Sequence, residues 1–118
     1  MILIDAVYIN KSGGKILLQY LINFIIKKKI YNNFCFLLDD RINLDSLEKL
    51  NYQFIQASEK SRKKYYINNI IKINSVFCFA NIPPPISIKN KLVSIYFHNK
   101  LLLDFKNSNL NFFQKLNF

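Results

Sequence analysis

Asn10-Lys11-Ser12-Gly13-Gly14-Lys15 is the stretch of this chain whose residue types could most directly hold a ligand. Gly13 and Gly14 are the only two glycines among 118 residues, and they lie where an apolar run, Ile2 to Ile9, hands over to a helical pattern. Glycine removes the Cβ and permits φ > 0, so backbone there can come close to a bound group. The helix start that follows adds oriented N–H groups and a partial positive charge. Such a segment suits an anionic or sugar-like group. The same pair would also serve as a tight strand-to-helix turn with no ligand.

Other chemistry finds less support. Gly13-Gly14-Lys15 continues with Ile16 rather than Ser or Thr and has no earlier glycine, so it is not the phosphate loop of nucleoside triphosphatases. No Gly-x-Gly-x-x-Gly follows the first apolar run, which argues against a nicotinamide or flavin enzyme, and no cofactor is expected. Asp39-Asp40 has no third ligand at metal spacing and reads as helix or loop caps, so no metal is expected either. No nucleophile–histidine pair suggests a hydrolase. Asp5, inside the first apolar run, reads as structural, bonding neighbouring loop backbone.

The elements that must position these residues alternate. Ile2 to Ile9 reads as a strand, and from Gly14 a helix follows with Leu17, Leu18, Leu21, Ile22, Phe24 and Ile25 on one broad face. Phe34 to Leu38 reads as a second strand, Leu44 to Leu50 as a short helix, and Tyr52 to Gln56 as a third strand. Ser58 suits the N-cap of a basic helix, Glu59 to Lys72. In that helix Tyr66, Ile67, Ile70 and Ile71 are expected inward, with Arg62, Lys63 and Lys64 mostly outward. Ser75 to Ala80 and Leu92 to Phe97 complete five strands, and a last helix is expected from Asn109. Uniformly apolar strands alternating with helices argue an α/β fold, a mostly parallel sheet with helices on both faces and Ile2–Ile9 near its centre. Ligands in such sheets bind outside the carboxyl ends of the strands. That edge would collect Asn10–Gly14, Asp39–Arg41, Ser58, Asn81–Pro85 and His98–Asn99.

Composition bounds the reading further. Hydrophobic residues make up 51%, with only two glycines and three prolines, so the chain is a folded single domain. Its net charge of +10 could meet nucleic acid, an anionic membrane surface or a phosphorylated small molecule. Only Arg41 and Arg62 are arginines and no nucleic-acid motif is recognisable, so nucleic acid is not the expected partner. Lys27–Lys29 would bind an anion or simply complement the negative end of the first helix. Cys35 and Cys78, each between two phenylalanines, read as buried free thiols. No signal-peptide layout opens the chain, and Ile16 to Ile26 falls well short of the ~20 apolar residues a membrane span needs. The expected location is cytoplasmic, with peripheral contact at the inner face of the membrane as an open possibility.

Two groups of residues carry a family resemblance. Ile2-Leu3-Ile4-Asp5-Ala6 leading to Gly13-Gly14 and an aliphatic helix resembles the opening of bacterial glycosyltransferases of the GT-B architecture, of the surface-polysaccharide type. Phe79-Ala80-Asn81-Ile82-Pro83-Pro84, followed by Val93-Ser94-Ile95-Tyr96-Phe97-His98-Asn99, resembles the same group, in which an N-x-P-P loop and a Y-x-H-N strand end recur. The similarity covers residues 2 to 103. It implies that residues 1–118 form one Rossmann-like, acceptor-side domain of a two-domain enzyme, a fragment lacking the C-terminal domain that binds most of the nucleotide sugar. The implied partners are a nucleotide-sugar donor, a glycan or lipid-linked acceptor, and the missing domain in cis or in trans.

By the same resemblance Gly13 and Gly14 approach the donor's phosphates or sugar, and Lys15 adds positive charge. His98 would contact a sugar hydroxyl at the catalytic cleft, or stand as a lone loop histidine. Asn99 would orient the strand end or touch sugar. Asn81 and the three prolines would wall the acceptor site or form a plain stiff turn. The competing reading is a non-enzymatic basic α/β module that binds nucleic acid or an anionic membrane surface.

Overall fold

A computed structural model of the protein describes residues 1–88 and 91–95. Strands β1 (Ile2–Ala6), β2 (Phe34–Asp39), β3 (Asn51–Ile55), β4 (Ser75–Cys78) and β5 (Leu92–Ile95) form one sheet in the order β3-β2-β1-β4-β5. All four pairings are parallel. Helices α1 (Ser12–Lys27) and α2 (Glu59–Asn69) connect β1 to β2 and β3 to β4, and α2 tightens into a 3₁₀ turn at Ile70–Lys72. The order matches the first five strands of the doubly wound 3-2-1-4-5-6 sheet, and the arrangement is Rossmann-like.

β1 is central because every one of its residues is buried, which only a strand covered on both faces can be. Its side chains alternate with the pleat. Ile2, Ile4 and Ala6 join Phe34, Phe36, Leu38 and Phe77 beneath α1, whose Leu17, Leu18, Leu21, Ile22 and Ile25 are all buried. Leu3 joins Cys35, Leu37, Val76 and Cys78 on the opposite face, under Tyr65 and Tyr66 of α2. Cys35 and Cys78 are buried free thiols, as their settings imply.

Three expectations are revised. β1 ends at Ala6, so Val7 to Lys11 form a loop. Leu44–Leu50 is not a helix: it is a loop closed by a turn from Leu50 N–H to Leu47 C=O, with Leu44 and Leu47 laid against the α1-side core. The third revision concerns α2, which is rotated from the expected orientation. Arg62 points inward and is 1% exposed, while Ile67 and Ile71 face out, 55% and 95% exposed. The reason lies in β1, where the buried carboxylate of Asp5 draws the guanidinium in. Tyr96, Phe97, His98, Asn99 and the helix expected from Asn109 lie outside the described residues. Among the described residues no helix is long and apolar enough to cross a membrane.

Candidate functional site at the carboxyl edge

An all-parallel sheet gathers the carboxyl ends of its strands on one edge. The loops Asn10–Gly14, Asp39–Arg41, Ser58 and Asn81–Pro85 therefore share it, as the alternating pattern requires. The chain leaves β1 toward β2 on one side and later crosses to β4 on the other. Between β1 and β4 lies the topological switch point, where doubly wound sheets open a crevice. Val7–Asn10, the start of α1 and Phe79–Pro83 border it.

The backbone there is unusual, but not at the glycines. Neither Gly13 nor Gly14 has a positive φ; Tyr8 (79°), Ser12 (62°) and Asn81 (61°) do. For a bulky tyrosine this conformation is uncommon and has to be held by its surroundings. Two bonds hold it. The Tyr8 N–H donates to Asp39 Oδ2 at 3.1 Å, and its hydroxyl donates to Glu59 Oε2 at 2.6 Å. The two glycines also differ from each other. A Cβ on Gly13 would meet nothing within 4 Å, whereas one on Gly14 would lie 3.1 Å from Cδ1 and 3.3 Å from Cγ2 of Ile9. Gly14 thus makes room for the protein's own loop, and the space open to a ligand is at Gly13. The first turn of α1 has no acid and no side-chain cap. Lys15 lies one turn in, on a cleft of about 580 Å³ shared with Ile16, Gln19, Tyr20 and Asn43. Gln19 closes the far side by exchanging two hydrogen bonds with the Asp45 backbone, at 3.0 and 2.8 Å.

Beneath the crevice, on the α2 side, a buried polar cluster ties the edge together. Arg62 donates from Nε (3.1 Å) and Nη2 (2.7 Å) to Asp5 Oδ2, which also accepts from the Tyr66 hydroxyl at 2.6 Å. Asp5 Oδ1 accepts from the Val7 N–H at 3.3 Å, the loop-backbone bond its position suggests. Arg62 Nη1 donates to both oxygens of Glu59 at 2.8 and 3.0 Å, and Nη2 to the Pro83 carbonyl at 3.2 Å. One guanidinium therefore links β1, the start of α2 and the proline loop, and through Glu59 it reaches Tyr8.

The charges respond in kind. Burial acts to lower the Arg62 pKa, but the charge and hydrogen bonds of Asp5, with Glu59, raise it above the ordinary value. Burial, then the Asp5 charge, raise the Tyr66 hydroxyl well above its usual range and push the Cys78 thiol up to about 12. Glu59 is held below the usual carboxylate value: burial opposes this, but bonds from Tyr8 and Arg62 prevail.

Asp39 is a loop organiser, as its strand-end position suggests. It receives Nε and Nη2 of Arg41 at 2.9 and 2.7 Å, together with the Arg41 and Tyr8 N–H groups. The Arg41 bonds hold its carboxyl below the usual range. Ser58 caps α2, accepting from the Ser61 N–H at 3.1 Å. Asn81 stands exposed at the end of β4. Among the described residues no cluster of His, Cys, Asp and Glu could hold a metal ion.

The structure thus brings Gly13, Gly14, Lys15 and Asn81 to one edge; His98 and Asn99 lie outside the described residues. Arg62 is the residue that sequence reasoning misplaced. A signal existed, because a carboxylate embedded in a strand apolar on both faces requires a buried cation. No protein-family model, no curated protein and no solved structure matches the chain.

Proposed function

We propose that this chain is the acceptor-side, Rossmann-like half of a glycosyltransferase that moves a sugar from a nucleotide-sugar donor to a glycan or lipid-linked acceptor. The observation that carries the reading is the start of α1 at the switch-point edge of the sheet, where the helix is uncapped and a Cβ on Gly13 would meet nothing within 4 Å. A donor diphosphate placed there meets the first-turn amides of α1, with the positive end of the helix and Lys15 beside it. Asn81 and the proline loop, tied down by Arg62, bound the acceptor side. The resemblance of Ile2–Ala6, Gly13-Gly14 and Asn81–Pro84 to bacterial GT-B enzymes points the same way. Most donor contacts, and the paired glutamates of that family, belong to a second domain supplied in cis or in trans. The lone chain then binds nucleotide sugar weakly and turns none over.

Nucleic acid is the less favoured ligand because both arginines are already paired with carboxylates, Arg41 at the surface with Asp39 and Arg62 inside the fold with Asp5 and Glu59. The test is a titration of isotope-labelled protein with nucleoside-diphosphate sugars, followed by amide chemical shifts. Shifts are expected at Gly13, Gly14, Lys15 and Asn81, changing little with salt, and without release of sugar or nucleotide. Silence at these amides would overturn the reading of the crevice. Robust transfer by the purified chain would overturn its assignment as half of a site.

A further inference from the structure

α2 presents Arg62, Tyr65 and Tyr66 to the sheet and turns the opposite stripe to solvent. At 3.6 residues per turn, Lys60, Lys64 and Ile67 fall on one line of the helix with Lys63 beside them, and Ile71 in the following turn continues it. All five are exposed, and Ile71 is 95% exposed. Residues 60–72 contain no acid, and Glu59, just before them, is bonded to Arg62 and Tyr8. The outward face is therefore uncompensated positive charge at one end and two bare isoleucines at the other, with Lys72 exposed beyond them.

We infer that the outward face of α2 docks on an anionic lipid bilayer. Lys60, Lys63 and Lys64 meet the headgroups, and Ile67 and Ile71 reach the acyl boundary. Charge complementarity selects the partner: a stripe with three lysines and no acid is attracted to anionic lipid, and a polybasic patch with a few apolar side chains gives reversible surface binding. A nucleic acid would use the lysines but gain nothing from exposed isoleucines, and this face offers no arginine or aromatic ring for bases. The binding faces lie apart. α2 starts at the carboxyl edge of the sheet and runs away from it, so a bilayer along its outward side leaves the crevice open.

The test is co-sedimentation of the full chain with vesicles of phosphatidylcholine alone and with phosphatidylglycerol added, and with duplex DNA as the competing polyanion. Binding to the anionic vesicles and not the neutral ones is expected. Lys60→Gln, Lys63→Gln and Lys64→Gln should each weaken it roughly fivefold, and Ile71→Ser about tenfold. Ile67→Ser is a second apolar variant, and circular dichroism confirms that each variant is folded. Equal binding to neutral vesicles, or no binding to anionic ones, would overturn the inference. So would vesicle binding that ignores both isoleucines and is matched by DNA, which would make the stripe a general polyanion surface.

Discussion

Replacing Arg62 by methionine keeps the bulk of the stem but deletes the charge inside a closed site. Asp5 is 2% exposed and would keep only the Tyr66 hydroxyl and the Val7 N–H as partners. Removing one member of a buried pair costs about 3–5 kcal/mol, most of it the penalty of the charge left behind. Against a typical total of roughly 5–15 kcal/mol, that is a large share of the stability. For a domain of this size it lowers the melting temperature by roughly 10–20 °C. Asp5→Asn should cost less, about 1–3 kcal/mol, because the guanidinium loses its buried counter-charge but keeps Glu59 and the Pro83 carbonyl. In the double variant no buried charge is left unpaired, since Glu59 is 56% exposed and is hydrated once Arg62 is gone, and the side-chain amide that replaces the Asp5 carboxylate can still accept from Tyr66. The double loss should therefore fall short of the sum of the single losses by about 2 kcal/mol or more. Urea unfolding followed by circular dichroism, with linear extrapolation, measures all three. Amide exchange at Ile82 and Ile86 adds a local readout, since Arg62→Met also releases the Pro83 carbonyl. A loss under about 1 kcal/mol for Arg62→Met, or strict additivity in the cycle, would refute the account of this pair.

Gly13→Ala should leave thermal stability unchanged or raise it by up to about 1 kcal/mol, while abolishing the nucleotide-sugar shifts at the start of α1. Gly14→Val should lower the melting temperature instead, because its Cβ alone presses on Ile9 at 3.1 Å; equal melting temperatures for the two variants would contradict this. Asp39 has a folded pKa below its unfolded value, so its contribution to stability is present above about pH 4 and is lost as pH falls through the lower folded value. Asp39→Asn should flatten that acid limb in unfolding curves recorded across pH, and an unchanged limb would remove Asp39 as its source.

Much of the architecture was legible because it rests on local pattern. Ile2–Ala6 is apolar at every position but Asp5, and only a central strand of a parallel sheet buries both of its faces. The regular spacing of Leu17, Leu18, Leu21, Ile22 and Ile25 likewise determined both α1 and its buried side. Once strands and helices alternate, parallel pairing carries Asn10–Gly14, Asp39–Arg41, Ser58 and Asn81–Pro85 to one edge without further information.

What required the tertiary structure was every choice between faces or partners that local pattern leaves equal. Tyrosines, isoleucines and lysines are spread nearly all round α2, so its sequence does not choose an inward side; the buried carboxylate of Asp5 on a distant strand does, by drawing in Arg62. Leu44–Leu50 has helical spacing, but the same leucines bury themselves just as well from a loop pinned through Gln19 and Asp45. The left-handed backbone falls on Tyr8 and Asn81 rather than on the glycines. At Tyr8 this is because the bonds it donates to Asp39 and Glu59, residues 31 and 51 positions away, hold it there. Short-range periodicity encodes which elements form. Long-range pairing of charges, with the cost of leaving one buried alone, decides how they face each other.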